Sequence, residues 1–549
     1  MNHHYLLNAV RAQVDSAIRH LFSEQNRDPY SRTYGCFDRR YWGWKLVDYP
    51  EATFQRNVYP MAWLLEQTEP TLHETRDVLT ETIKAGLQYT IKIQHRDGSF
   101  DQAFPNEHSY GATAFLVHPL LKAYQVIKDN CSDSFQNRMD ESLNAASLFL
   151  CRKYETHGYI ANHLAGAALS LLSSADYFRE SAFERHGSAL LEDILNKQSG
   201  EGWFIEYDGA DPGYQTLCLY YLAQIYHRKR DARLQTALER ALSFLSWFVH
   251  PDGTFGGDYG SRRTSIYYPG GIARLCPEHP LAARMTHFML DSIKDGRTVT
   301  LADIDMGNLA PLLSNYILLL EADLSDATKA PMLPCEKEDV CKDFDSAGMH
   351  IRGTKRYYAI VGTSNGGVLK IFNRKDKAVI HSDSGYVGQM HSGHFITTQV
   401  THANPSADVK PGEIRIRSPF FKMTRTTPSP FLVLIFRIMN LTVMRSKFVR
   451  ERIKYYLAHW LIRRKTGVPL TLTRIIRFTD NSVAINDRLD KGGRLGLRWL
   501  EHGRLFNAIH MASSLYFENV KTSYNGMTPR SIDVERLSKN RTIELETIV

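Results

Sequence analysis

Apolar residues in the first half of the chain recur at helical spacing, between short polar loops that contain glycine. Runs such as "LLKAYQVI" and "LCLYYLAQIY" have helical length and lack the strict alternation of strands. In the second half, "MHIRGTKRYYAIVGTSNGGVLKIF" alternates apolar with polar residues, is rich in β-branched and aromatic residues, and is broken by Gly-Gly. The pattern predicts an α+β multidomain protein, with a helical domain over residues 1–325 and an antiparallel β-domain of stacked sheets over 326–549.

Three segments of the helical half echo one another. Each has an acidic residue, a glycine, one further residue and a phenylalanine, followed by a polar, aromatic loop; the turns are Asp97-Gly98, Glu201-Gly202 and Asp252-Gly253. "ETHGYIANHLAGAALSLL" is a degenerate fourth copy, with His157-Gly158 at the turn. A repeat of about 50 residues accommodates two helices and two loops, and such periods are typical of solenoids, propellers and toroids. We therefore predict paired helices curled into an (α/α) toroid, with the loops before its inner helices gathered at one mouth.

Asn162 and His163 stand at the start of a run that is otherwise small and apolar, "GYIANHLAGAALSLL". Asn is a favoured N-cap residue and His could be a satisfied core residue, so a structural role explains both. An amide and an imidazole at the positive end of a helix would equally bind an anion. In a toroid, the loops would bring this pair beside His108, Tyr214 and Arg263.

The composition is that of an ordinary globular protein. The 549 residues are 43% apolar and 23% charged, and the formal net charge is +8. This mild excess suits an acidic partner, and no block of Lys and Arg interleaved with aromatic residues resembles a nucleic-acid module. The seven cysteines form no CxxC pair, so the sequence favours a reducing compartment over a disulfide framework, although Cys335 and Cys341 could bridge a loop.

The beginning of the chain, "MNHHYLLNAVRAQVDSAIRHLF", has the pattern of an amphipathic helix. It lacks a basic segment followed by an apolar core, the pattern of a signal peptide. We therefore expect a cytoplasmic protein; if a leader had been removed, the expected location would be periplasmic.

One segment, residues 429–465, interrupts the β pattern. It begins with an apolar run and continues as an amphipathic, basic stretch with nine Lys or Arg and one acid, Glu451. The apolar run is too short to span a bilayer. Two interpretations stay open: a helix packed on the β-domain with a solvated basic face, or a helix on an anionic membrane surface. In the second, Arg450, Arg452 and Lys454 would contact the lipid.

The toroid-plus-β order, the "ANH" motif and the later "GADPGYQ" loop resemble the heparinase II/III-like group of polysaccharide lyases. The alginate-lyase branch of that group is similar in the same places. "SAGMHIRGTKRYYAIVGTSNGG" and "SDSGYVGQMHSGHF" resemble its C-terminal β-domain, so the resemblance runs from about Tyr34 to the end of the chain. It implies an (α/α) toroid joined to an antiparallel β-sandwich, acting on uronic-acid polysaccharides.

The resemblance also implies roles for individual residues. Uronic-acid chains are cut by removing the proton at C5, after hydrogen-bond donors have neutralised the neighbouring carboxylate. Matched to the pattern of the group, Asn162 would bind the carboxylate, and His163 would neutralise it or act as the base. Tyr214 would be the acid, or acid and base together. Tyr386 would reach from the β-domain into the cleft, or be an ordinary tyrosine of a sheet.

Other loop residues are weaker candidates for substrate binding, because each also has a structural interpretation. His108 could bind substrate or hold its own loop, and Arg263 could bind a carboxylate bidentately or lie at the surface. Trp203 and Tyr207 could stack on sugar rings, although a tryptophan more often lies in a core. Tyr268 shares the Arg263 loop with Tyr267, and one of the two is expected to pack.

A metal is a further alternative for the β-domain, since some members of the group carry one there. "HSGHFITTQVTH" offers His391, His394 and His402 as ligands. Two histidines three positions apart on a strand point to opposite faces, which argues against joint ligation. We therefore expect no cofactor, and a structural divalent metal remains the alternative.

Three functions are consistent with these residues. The leading hypothesis is a β-eliminating lyase that abstracts the C5 proton of a uronic acid. A glucuronyl C5-epimerase acting on a heparosan-like polymer would take the same proton and return one from the opposite face. The third is a non-catalytic polysaccharide-binding protein of an exopolysaccharide pathway. The presence of Asn162, His163 and Tyr214 counts against it, because a protein that only binds would not need them. The expected partner is an acidic uronate-containing polysaccharide, with an anionic membrane surface as a second one; the sequence does not indicate an oligomeric state.

Overall fold

Helices occupy the chain as far as Leu320. A computed structural model describes residues 3–45, 47–67, 76–155, 158–324, 331–401, 406–423, 429–458, 465–503, 506–508 and 530–549. In chain order the helices are α1 (His3–Glu24), α2 (Arg39–Trp42), α3 (Val58–Glu66), α4 (Arg76–Ile93), α5 (Tyr110–Ile127), α6 (Asp133–Arg152), α7 (Ala161–Phe178), α8 (Ser181–Asn196), α9 (Pro212–Lys229), α10 (Ala232–Leu245), α11 (Gly270–Ala273), α12 (Pro280–Lys294) and α13 (Met306–Leu320).

Six of these helices close into an inner ring. Along the ring α3 packs on α5, α5 on α7, α7 on α9, α9 on α11, α11 on α13, and α13 back on α3. The helices α1, α4, α6, α8, α10 and α12 lie outside it. An outer helix buries one stripe, as α10 does with Leu234, Leu238 and Leu242, whereas the small residues of inner α7 are buried on nearly all sides. The predicted toroid is confirmed.

The repeated turn has one structural reason. Gly98 has a φ of +90° and Gly202 a φ of +99°, and the loops fold tightly against an outer helix. A Cβ at either position would overlap a backbone carbonyl oxygen of α6 or α10, so glycine alone fits there. Gly35, with a φ of +88°, makes the same approach to α4 and is a further copy. Sequence reasoning missed it because the preceding residue is Tyr34 rather than an acid.

Strands dominate the second half of the chain. They are β1 (Val340–Phe344), β2 (Met349–Gly353), β3 (Tyr357–Gly362), β4 (Val368–Asn373), β5 (Val379–Asp383), β6 (Tyr386–Met390), β7 (Phe395–Thr397), β8 (Ser406–Val409), β9 (Glu413–Met423), β10 (Gly467–Phe478), β11 (Val483–Lys491), β12 (Leu497–His502), β13 (Arg530–Ser531) and β14 (Thr542–Ile548). Among the described residues, three helices accompany them: α14 (Pro430–Leu441), α15 (Lys447–Ala458) and α16 (Val534–Asn540).

The strands form two antiparallel sheets that pack face to face. The first contains β1 to β5 in sequence order; the second runs β13-β12-β6-β7-β9-β10-β11-β14, with β8 also paired to β9. Val361 and Leu369 of the first sheet share a hydrophobic cluster with Ile414, Ile416 and Ile476 of the second. The predicted β-sandwich is therefore confirmed.

The first sheet also packs against the toroid through its other face. Phe344 lies edge-on to Phe244, with ring centres 4.9 Å apart, and the Tyr358 hydroxyl donates to the Trp247 carbonyl at 2.7 Å. Every residue of β3 is consequently buried, which a sheet with one wet face would not allow. The predicted division between residues 325 and 326 lies between α13 and β1, at residues 325–330, which are outside the described part of the chain.

The predicted insertion lies in the connection between the neighbouring strands β9 and β10, and its described part folds as α14 and α15. These helices rest on loops of the toroid. Phe436 lies edge-on to Phe104 at 5.2 Å, the Asn106 side chain donates to the Asn440 carbonyl at 3.0 Å, and Lys454 Nζ donates to the His108 carbonyl at 3.4 Å. The expectation of a helix packed on the β-domain is corrected: the insertion reaches the mouth of the toroid.

Candidate active site

The loops before the inner helices meet at the mouth of the toroid. Backbone bridges join Ile160 to Glu206 and Glu206 to Gly209. The Ser261 hydroxyl donates to the Glu206 carbonyl at 2.9 Å, and the Ser261 N–H donates to the Ala210 carbonyl at 2.8 Å. The loops that lead into α7, α9 and α11 are thereby held together, so the first turns of these inner helices face a common space.

Asn162 lies in the first turn of α7 and does not cap it. The N-cap position is Ile160, which makes no side-chain capping bond. Asn162 is buried, and its Nδ2 donates to both carboxylate oxygens of Glu206, at 2.9 and 2.8 Å. The capping interpretation is therefore wrong for Asn162: its amide holds a buried carboxyl group in the neighbouring loop.

Glu206 is an unusual carboxyl group because it is buried beside a second acid. Burial raises the pKa of Glu206 to about 8, and the nearby Asp211 acts in the same direction. The hydrogen bonds from Asn162 and the charge of Arg262 act against this rise. Glu206 is consequently protonated and uncharged over most of the neutral range, in which it can donate a hydrogen bond as well as accept one.

Asp211 fixes the start of α9. It is the N-cap residue and accepts the Tyr214 N–H at 2.9 Å, and Pro212 occupies the first helical position. Its second carboxylate oxygen accepts the Arg262 N–H at 2.8 Å, which ties the α11 loop to the same point. One side chain thus sets the positions of both Tyr214 and Arg262.

His163 is held by a buried acid. Its Nδ1 lies 2.7 Å from Glu155 Oε2, and the Glu155 side chain is almost fully buried. The ring packs edge-on against Phe115 at 5.0 Å, and a Cβ at Gly111 would come within 2.8 Å of it. A histidine whose Nδ1–H donates to a carboxylate presents Nε2 as the acceptor, which is the arrangement of a general base.

Tyr214 is partly exposed, and it is close enough to Tyr207 to influence the pKa of that residue. The Arg262 guanidinium lies 4.5 Å from the centre of the Tyr207 ring, a cation–π contact. Burial raises the pKa of Tyr207, and the charge of Arg262 opposes that rise. The predicted residues Tyr207 and Tyr214 are thus in the same group, and Arg262 adds a cation to it.

His108 lies in the loop before α5, under the insertion. Its Nδ1 lies 2.7 Å from Asp97 Oδ2 and 2.8 Å from the Ser99 hydroxyl, and its ring stacks on His95 at 4.0 Å. These contacts favour the loop-holding interpretation. The side chain also lines a cavity of about 180 Å³, whose other walls are Tyr110, Phe149, Arg152, Lys153, Tyr154, Glu155, Glu451 and Lys454.

Two predicted substrate-binding residues have structural roles instead. Arg263 is buried, with its guanidinium donating to the Gln399 carbonyl at 3.1 Å and to Asn507 Oδ1 at 3.2 Å. It therefore joins the toroid to the β-domain, while its neighbour Arg262 contacts the candidate site. Tyr268 and Tyr267 are both buried in the core of the toroid, so both pack.

Trp203 and Tyr386 also lie away from the Asn162 group. Trp203 Nε1 donates to Glu201 Oε2 at 3.1 Å and to the Ser346 hydroxyl at 3.2 Å, at the joint between the domains. Tyr386 is fully buried in the sandwich, where its hydroxyl donates to Asp487 Oδ2 at 2.8 Å. These surroundings favour the interpretation of Tyr386 as an ordinary tyrosine of a sheet, outside the candidate site.

The histidines and cysteines of the β-domain were candidates for a metal site and a disulfide. His391 and His394 are exposed at the turn between β6 and β7, and His402 lies outside the described residues. Within the described part of the chain, no group of three or more His, Cys, Asp or Glu could hold a metal ion. All seven cysteines are free thiols, so Cys335 and Cys341 form no bridge.

The toroid with its mouth matches a known family of domains over part of the chain. Residues 52–273 match the ulvan lyase N-terminal domain. This ulvan-lyase-type domain includes Asn162, His163, Glu206, Tyr214 and Arg262, and it covers less than half of the chain. The match confirms the resemblance to polysaccharide lyases. No curated protein matches the sequence.

Solved structures support the fold around the ulvan-lyase-type domain. A xanthan lyase from Paenibacillus is 11% identical with a TM-score of 0.53, covering 90% of this chain and 46% of its own. A chondroitin AC lyase from Streptomyces coelicolor A3 is 11% identical with a TM-score of 0.54, covering 90% and 67%. The chain thus spans about half the length of the xanthan lyase.

Sequence reasoning did not propose three charged residues of the candidate site: Glu155, Glu206 and Arg262. Two of them stand next to predicted candidates, Glu206 before Tyr207 and Arg262 before Arg263. That adjacency was an available signal, since either neighbour in a loop can face the cleft. The sequence contains no such signal for Glu155, because its pairing with His163 across the loop depends on the folded backbone.

Proposed function

We propose that this protein is a polysaccharide lyase that acts on an acidic, uronate-containing polymer. The observation that carries the proposal is the grouping at the mouth of the toroid: a histidine oriented by a buried acid in α7, and a tyrosine fixed in the first turn of α9. The same loops hold a carboxyl–amide pair, Glu206 with Asn162, and a cation, Arg262. The match to the ulvan lyase N-terminal domain supports the same reaction class.

The reaction would proceed as a β-elimination in which all atoms balance. His163 Nε2 takes the C5 proton, and the electron pair of that C–H bond forms the C4–C5 double bond. The C4–O4 bond breaks, and the Tyr214 hydroxyl protonates the departing O4. The products are a chain ending in an unsaturated uronate and a chain with a new hydroxyl group, and no water is consumed.

The uronate carboxylate needs hydrogen-bond donors while charge develops on it. The amide nitrogen of Asn162 lies within hydrogen-bond distance of both carboxyl oxygens of Glu206, so we propose that the pair acts as a unit. Protonated Glu206 supplies an O–H donor, and Arg262 supplies positive charge beside it. An ionised Glu206 would instead repel the substrate.

An assay of product type tests the proposed reaction. The protein is incubated in deuterated buffer with ulvan, alginate, glucuronan, heparosan and chondroitin, and the ultraviolet absorbance and C5 deuterium content of the products are measured. An unsaturated, ultraviolet-absorbing product from one of these polymers is expected. Deuterium at C5 without that absorbance would identify an epimerase, and binding with neither signal would identify a non-catalytic protein; either result contradicts the proposal.

The insertion adds a cation to the cavity beside His108, which suggests a role in holding the polymer. Lys454 is buried at its wall, among Arg152 and Lys153. We expect Lys454→Ala to raise KM several-fold with little change in kcat, since the lost contact would act equally on bound substrate and transition state. Lys375→Ala removes an exposed cation from the β-domain and is the control. A fall in kcat with unchanged KM would contradict a binding role for Lys454.

A further inference from the structure

Helix α14 exposes a nearly continuous group of apolar residues, which we call the apolar face. Phe431 is 70% exposed, Leu432 60% and Leu434 58%, in a helix of twelve residues. The remaining members of this apolar face are Val433, Ile435, Ile438, Leu441 and Val443 of the following turn. Single exposed apolar residues are ordinary, but a contiguous group of this size indicates a surface that contacts a membrane or another protein.

The orientation of α14 is fixed by its opposite side, so the exposed face is not an accident of a loose helix. Arg437 pairs with Asp48 at 2.9 Å and lies 5.2 Å from the centre of the Tyr49 ring. Phe436 packs on Phe104, and the Asn440 carbonyl accepts the Asn106 side chain. The polar and half-buried residues thus face the toroid, which leaves the aliphatic residues outward.

Exposed basic and aromatic residues follow the apolar face along the chain. Arg445, Lys447 and Arg452 are exposed on the segment that follows it, and they form what we call the basic rim. Phe448, Tyr455 and Tyr456 are exposed on the same helix, α15. Aliphatic residues accompanied by cations and aromatic rings have the composition of a helix that lies in a lipid–water interface.

We propose that α14 and the outward side of α15 bind the surface of a membrane containing anionic lipid, with the apolar face inserted among the head groups. In the described residues, no helix is long and apolar enough to cross a bilayer, so the contact is peripheral. A second copy of the chain is the less suitable occupant, because a symmetric pair would bring one basic rim against the other. The anionic surface has the complementary charge.

The basic residues available for lipid contact differ from those that the sequence suggested. The sequence suggested Arg450, Arg452 and Lys454 as lipid contacts, but Arg450 and Lys454 are buried on the inward side of α15. Arg450 donates to the Met444 carbonyl, and Lys454 donates to the His108 carbonyl. The lipid contacts are therefore the basic rim and the apolar face.

Co-sedimentation of the full chain with vesicles tests the proposal. Vesicles of phosphatidylcholine alone and of phosphatidylcholine with phosphatidylglycerol are compared at low and high salt. We expect binding to the anionic vesicles that weakens as salt rises. Replacing two rim cations, Arg445→Glu with Lys447→Glu, should lower the partition coefficient at least about tenfold, since each cation contributes roughly fivefold near such a surface.

A second variant, Leu434→Glu with Ile438→Glu, should abolish binding by removing the insertion of the apolar face. Both side chains are more than half exposed, so the thermal midpoint should stay near that of the wild type. Val78→Glu, at an exposed apolar position of α4, is the matched control and should bind normally. Failure to bind anionic vesicles at low salt, equal binding to neutral ones, or a dimer that Leu434→Glu with Ile438→Glu dissociates would each overturn the proposal.

Discussion

Tyr214→Phe is expected to lower kcat by about 10²- to 10⁴-fold and to leave KM nearly unchanged, because a positioned acid contributes this much to the chemical step. The substitution removes one hydroxyl oxygen and keeps the ring, which packs against the core of the toroid. The measurement is the steady-state rate of ultraviolet absorbance on the polymer that the product assay identifies.

The matched control for Tyr214→Phe lies at the other end of the same helix. Tyr226 in α9 donates its hydroxyl to Glu278 at 2.7 Å, far along the helix from its N-terminus, and Tyr226→Phe should retain wild-type kcat. A Tyr214→Phe variant that keeps more than about a tenth of the wild-type kcat would remove Tyr214 as the acid, since general acids supply at least ~10²-fold.

Glu206→Gln is expected to change the pH profile rather than only the rate. Burial raises the pKa of Glu206 to about 8, so the wild-type carboxyl group loses its proton as pH rises through that value. The resulting negative charge would repel the uronate, and kcat/KM should fall about tenfold for each pH unit above the pKa. Glutamine stays neutral, so this alkaline fall should disappear in the variant, whatever its activity at neutral pH.

The pH dependence of thermal unfolding tests the raised pKa of Glu206 independently of activity. The folded state holds the Glu206 proton more tightly than the unfolded state, whose carboxyl group has an ordinary pKa near 4.5. Stability from this group is therefore complete below about pH 4.5 and is lost as pH rises towards about 8. The Tm of Glu206→Gln should lose that dependence. Glu192→Gln, at an exposed position of α8, should behave as the wild type. An unchanged alkaline limb in Glu206→Gln would show that another group titrates.

The fold was accessible from the sequence because its signals are local. The helical period of "LCLYYLAQIY" and the Gly98 and Gly202 turns each follow from short-range geometry, and the repeat then implies a ring. The reach of the insertion onto the toroid was not accessible. It depends on the contacts of Phe436 and Lys454 with loops more than three hundred residues away, which no local pattern encodes.

The site was accessible only in part, for a related reason. Asn162, His163 and Tyr214 begin inner helices, and the sequence made them candidates from that position and from the resemblance to the lyase group. Their partners Glu155 and Glu206 were not identified, because ion pairs and hydrogen bonds across loops have no fixed spacing. Tyr386 is the opposite case, a residue that the sequence suggested for the site and that the structure buries. Its hydroxyl group donates to Asp487, and the sequence alone does not distinguish such a tyrosine from one that faces a cleft.

The central strands of the first sheet, β2 to β4, are largely buried on both faces, and this makes the two domains poor candidates for independent units. The inner residues of this sheet pack on the second sheet, while Phe344 and Tyr358 complete the core of the toroid. A fragment ending after α13 would present Phe244, Trp247 and Phe248 to water, a surface prone to self-association. Exchange of the sandwich for that of a distant relative would leave the same aromatic residues without their partners, so the two halves must vary together.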